Sequence, residues 1–144
     1  MLIGEFGQII DKGYHFISFG LLTAGIEFLG KCLQKNQDWH QAGTSKINFN
    51  FAIKKLMPKY HHLNLKYKLH DSLRNGFAHA LAPKTGIFLT HKDENDNHLK
   101  EDGGLTLVIE DFYDDFKKAC EAVISKKFDP DVKMNKEYLR TPSK

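Results

Sequence analysis

The sequence predicts a mainly α protein, an up-and-down bundle of about four helices with a β-hairpin or small meander inserted before the last helix. Three observations carry this reading. Apolar residues recur at helical spacing in four segments; the spacing changes to alternation between Gly86 and Glu110; and Pro58, Pro83 and an acidic cluster from Asp111 stand where the pattern changes. The chain has 144 residues, which suits one domain. We divide it into a helical domain over 1–128, containing the β insertion at about 86–110, and a C-terminal extension over 129–144 that holds two prolines and little periodicity.

The first long helix is expected from about Tyr14 to Leu33. Phe16, Phe19, Leu22, Ile26 and Leu29 repeat at helical spacing, while Ile17, Leu21, Phe28 and Leu33 fill the other side. A helix apolar nearly all round is covered on most sides, at a bundle centre or a subunit interface. Gly20, Ala24, Gly25 and Gly30 remove bulk and permit close approach by a neighbour. Glu27 is the odd residue, expected to pair with Lys31 at i,i+4.

A polar stretch from Asn36 to Ser45 reads as a loop. Thr44 or Ser45 can cap a second helix, which carries Ile47, Phe51, Leu56 and Met57 and stops near Pro58. The third helix is expected from an N-cap at Asn64 to about Leu81, before Pro83. Ile87–His91 and Leu105–Glu110 read as strands around a charged segment that ends in the turn signal Asp102-Gly103-Gly104, and His98–Glu101 could add a short middle strand. The last helix follows from Asp111, with Phe112, Phe116, Ala119, Cys120 and Val123 on one face. Asp111, Asp114 and Asp115 in its first turn answer the positive end of the helix, the ordinary reason for acids there.

Composition excludes several classes. With 41% hydrophobic and 27% charged residues the chain is neither disordered nor a disulfide-dense miniprotein. Its longest apolar stretch is shorter than the roughly 20 residues a membrane span needs and contains Glu27. Glu5 and the lack of an early cationic cluster argue against a secretory leader, so the expected location is the cytoplasm. Cys32 and Cys120 match no metal or redox spacing and read as reduced thiols. There is no HExxH, and the adjacent His61 and His62 read as solvated, so neither a metal nor another cofactor is expected. A net charge of +3 permits a nucleic-acid partner without demanding one. Arginine is scarce, two against nineteen lysines, which draws attention to Arg74.

Arg74 lies on the third helix. On a wheel advancing roughly 100° per residue, Leu69, Leu73, Phe77 and Ala80 share the core side. Tyr67, Asp71, Asn75 and His79 follow at i,i+4 as a polar stripe, with Arg74 about 60° to one side of Asp71 and His79 about 80° to the other. Asp71 can then reach Arg74 and Asn75, and Asn75 can orient His79. Guanidinium binds phosphate with paired donors, and imidazole moves protons near neutral pH.

The octet Leu73-Arg74-Asn75-Gly76-Phe77-Ala78-His79-Ala80 resembles the signature of the HEPN superfamily (higher eukaryotes and prokaryotes nucleotide-binding): Arg, a polar residue often Asn, and His after four to six residues. The resemblance covers about residues 65–82, and the strand pair departs from the family's helical pattern. It implies a helical bundle that forms a homodimer, with two Arg–His motifs facing a shared cleft. It also implies one of two functions. The first is a metal-independent endoribonuclease of toxin–antitoxin or defence type, with Arg74 and His79 catalytic, Asn75 and Asp71 supporting, and an antitoxin-type protein partner. The second is a non-catalytic module that binds RNA or nucleotide, or another protein. A further acidic helix position of the family could correspond to Glu27.

Overall fold

The computed structural model describes residues 2–34, 41–79 and 86–125, without the side chains of 2 and 75–79. The expected loop residues 36–40, the helix end at Pro83 and the extension over 129–144 lie outside the described residues. Within them the chain is mainly helical: α1 (Leu2–Asp11), α2 (His15–Cys32), α3 (Ser45–Leu56), a single 3-10 turn at Pro58–Tyr60, α4 (His61–Tyr67), α5 (Leu69–His79), β1 (Ile87–Thr90), β2 (Leu105–Val108) and α6 (Ile109–Ile124).

Helix α2 is the hub and packs against α1, α3, α5 and α6. Phe19, Leu22, Ile26 and Leu29 are buried as the periodicity predicts, whereas Phe16, Ile17 and Phe28 are about half exposed. Its glycines let the neighbours in. A Cβ on Gly30 would stand 1.8 Å from Asn48 O of α3, and one on Gly25 would stand 2.6 Å from the Phe116 ring of α6. α6 buries Phe112, Phe116, Ala119, Cys120 and Val123, the face its spacing marks. Cys32 and Cys120 are both buried and free, and burial pushes their thiols up to about 11 and about 12. They are inert at neutral pH.

Four expectations need correction. A helix, α1, precedes the expected start at Tyr14; it is short and holds Gly4 and Gly7, yet buries Phe6 and Ile10. The bundle therefore has six α-helices among the described residues rather than about four. The single third helix is two. Lys68 takes left-handed angles (φ 51°, ψ 61°) between α4 and α5. The break is held by side chains: Asn64 Oδ1 accepts the Leu69 N–H at 3.1 Å, and Ser72 Oγ donates to Tyr67 O at 2.9 Å. Asn64 thus repairs a helix end rather than starting a helix, and Tyr67 leaves the polar stripe.

The strands are not a hairpin either. β1 and β2 pair in parallel, with Ile87 opposite Leu105 and Thr90 opposite Val108. Parallel neighbours need a long crossover, and residues 91–104 supply it. Within that crossover Leu99 donates to Thr106 O at 2.8 Å and Thr106 donates to Lys100 O at 3.0 Å. This segment covers the other edge of β2, so β2 is the middle element rather than the His98–Glu101 segment. No helix of the described residues is long and apolar enough to cross a membrane.

Candidate functional site

The polar face of α5 meets the start of α3 and the middle of α2, and six side chains converge there. Arg74 is exposed and donates from Nη1 to Ser45 Oγ at 3.0 Å. Ser45 is the first residue of α3. Its hydroxyl therefore faces α5 rather than capping its own helix, and Thr44, the residue before α3, makes no side-chain cap bond either. The same Ser45 Oγ lies 3.0 Å from His70 Nε2, and Glu27 Oε1 of α2 lies 2.8 Å from that nitrogen.

His70 is buried under this array, its ring 5.3 Å from Phe49. Nε2 faces a carboxylate that can only accept, so it carries the proton toward Glu27. Nδ1 is buried without a hydrogen bond and lies 3.5 Å from Asp71 Oδ1. Ser45, His70 and Asp71 stand in the order of a nucleophile, base and acid, but this is not a working triad. Nε2 donates to Glu27 and so cannot receive a proton from Ser45.

Asp71 is placed differently from the expectation that it braces Arg74. Its Oδ2 takes Lys46 Nζ at 2.8 Å, while Arg74 turns to Ser45. The Lys46 ammonium hydrogen-bonded to Asp71 holds its carboxyl below the usual range. Glu27 likewise reaches across to His70 as well as lying one turn from Lys31. Beside the array is a pocket of about 290 Å³ whose wall includes Glu27, Lys31, Gly43, Ser45 and Asn48. The backbone of Asn75 and His79 continues α5, but their side chains lie outside the described residues.

Arg74, Asp71 and Glu27 were visible in the sequence as chemistry-bearing residues. Ser45, Lys46 and His70 were not, because each joins the site only through the crossing of α3 and α5. The one available signal was His70 beside Asp71, and the wheel turns it toward the core.

The arrangement can do two things. Arg74 and Lys46 present positive charge at the start of α3, where unpaired backbone N–H groups add a partial positive charge, so an anion is favoured there. Glu27 and Asp71 limit how far that charge extends. No family model matches the chain, and neither a curated protein nor a solved structure matches it at a significant level.

Proposed function

We propose that the chain is a HEPN-like, metal-independent endoribonuclease acting as a homodimer. The observation that supports this most is the exposed Arg74 guanidinium beside Lys46 at the start of α3, a place suited to an RNA phosphate. Arg74 holds the phosphate as charge builds on its oxygens, and His79 moves protons at the ribose 2′-oxygen or the leaving 5′-oxygen. Asn75 orients His79. Asp71 acts at one remove, by holding Lys46.

One chain carries one such histidine, so separate acid and base roles need two chains. The half-exposed Phe16, Ile17 and Phe28 on α2 supply apolar surface for that contact. A cytoplasmic toxin with an antitoxin-type protein partner is the biological setting this chemistry fits.

The experiment incubates purified protein with mixed-sequence RNA in EDTA. Cleavage should leave a 2′,3′-cyclic phosphate and disappear in His79→Ala and in Arg74→Lys, since lysine keeps the charge without the paired donors. Equal cleavage by wild type and His79→Ala would discard the enzyme. The second reading, a non-catalytic RNA- or nucleotide-binding module, is favoured by one observation: the imidazole described in this array, His70, donates from Nε2 to Glu27 and so offers no base at that nitrogen. RNA retention without cleavage would select it.

A further inference from the structure

We propose that His15, His91 and Glu110 bind one divalent transition-metal ion of the zinc type where the starts of α2 and α6 meet the end of β1. His15 is the first residue of α2, His91 follows β1 directly, and Glu110 lies in the first turn of α6. All three are partly buried, and one ligand atom of each lies within 4.8 Å of the other two. Bonds of about 2.0–2.2 Å around a tetrahedral ion put ligand atoms roughly 3.4 Å apart. Side-chain rotations of about an ångström therefore close the site.

The three residues are held close together by their surroundings. The His15 and His91 rings lie 4.2 Å apart between centroids and 25° from parallel. Among the described residues, the His15 ring has this stacking contact and makes no hydrogen bond. Glu110 Oε2 accepts the Lys92 N–H at 3.1 Å, an outer contact that orients the carboxylate. Glu94 Oε2 lies 3.6 Å from His91 Nε2 and accepts from Thr90 Oγ1 at 3.3 Å, placing a second carboxylate at the edge.

The local charge favours a cation. Lys92, next to His91 in the chain, has its ammonium drawn to Asp111 Oδ1 at 3.4 Å. Two imidazoles with one carboxylate suit Zn²⁺, Co²⁺, Ni²⁺ or Cu²⁺, whereas Mg²⁺ and Ca²⁺ prefer oxygen throughout. Three protein ligands leave a fourth position for water or a small ligand. A groove of about 680 Å³ runs beside it, with Phe16, Thr90 and Glu94 in its wall.

The site is separate from the Arg74 array. His15 and Glu27 are twelve residues apart on α2, roughly 18 Å along its axis. The ion would pin three elements together, and the EDTA-resistant cleavage proposed above stands or falls independently of it.

The test uses tag-free full-length protein stripped with chelator, titrated with ZnCl₂ by calorimetry and with CoCl₂ by visible absorption. Wild type should take up one equivalent of Zn²⁺, show the absorption bands of four-coordinate Co²⁺, and melt at a higher temperature with Zn²⁺. His15→Ala and His91→Ala should each weaken binding by at least about tenfold, and His61→Ala with His62→Ala should not. Glu110→Gln preserves shape and should also weaken binding, which keeps the test intact if an alanine variant fails to fold. No uptake by wild type, or undiminished affinity in the His15, His91 and Glu110 variants, would overturn the proposal.

Discussion

Two histidines, the partly buried His98 in the crossover and the buried His70 on α5, differ in whether both ring nitrogens have partners. His98 Nδ1 accepts the Val108 N–H at 3.0 Å, which puts the proton on Nε2. Nε2 donates to Tyr60 Oη at 2.7 Å, and that hydroxyl donates to Asp115 Oδ2, which also takes Lys59 Nζ at 2.7 Å. Every link has a giver and a taker, from a strand through the core to α6. At His70 two acceptor-capable oxygens crowd Nε2, while Nδ1 has no hydrogen bond. A satisfied buried network rigidifies a fold, and an unsatisfied one can be rearranged by a ligand or a proton. The His98 chain is scaffold, whereas the His70 array keeps a buried nitrogen without a hydrogen bond.

The largest effect should come from breaking the closed network. His98→Leu leaves the Val108 N–H without a partner and takes from the Tyr60 hydroxyl one of its two, and should cost about 3 kcal/mol in urea unfolding. His70→Leu, which also removes an unpaired buried nitrogen, should cost about 1 kcal/mol in the same measurement. Equal costs would erase the distinction.

A proton should act on the closed network in the same sense. Burial foremost, against the pull of Asp111 and Asp115, holds the His98 imidazole below its ordinary range. The unfolded chain therefore binds this proton first as pH falls. The contribution is whole above about pH 6.5 and is lost as pH drops through the lowered folded value. Thermal melts of wild type and His98→Leu from about pH 4 to about pH 8 should converge toward acid pH. Parallel curves would remove His98 as the titrating group.

The smallest stability effect belongs to the rim of the open array. Arg74→Ala should change stability by no more than about 0.5 kcal/mol, because the guanidinium is exposed and makes its hydrogen bond to Ser45 in water. Lys46→Ala should do the same, its pair with Asp71 being a surface pair. Both should nevertheless weaken retention of RNA on a filter. A large stability loss from Arg74→Ala would make it a structural residue and turn the comparison around.

Legibility in the sequence followed the range of the interaction. The buried faces of α2 and α6 could be read because a helix repeats its face every few residues, as Leu22, Ile26 and Leu29 or Phe112, Phe116 and Val123 show. The positions of β1 and β2 could be read too, since alternation marks a strand. Their direction could not, because alternation is the same in parallel and antiparallel pairs. Lys68 carried no sign of a helix break, as the residues that hold it, Asn64 and Ser72, also occur within unbroken helices.

The sequence by itself determined that this is a mainly helical chain with a strand pair before its last helix, and that Arg74 and Asp71 share a polar helix face. Each of these rests on neighbours within a turn or two, where chain geometry sets the spacing. Only the tertiary structure decided that Asp71 holds Lys46, that Glu27 and Ser45 meet at His70, and that His15, His91 and Glu110 converge. Those partners come from different elements, and their meeting depends on close crossings such as that of Gly30 with Asn48, which no local pattern encodes.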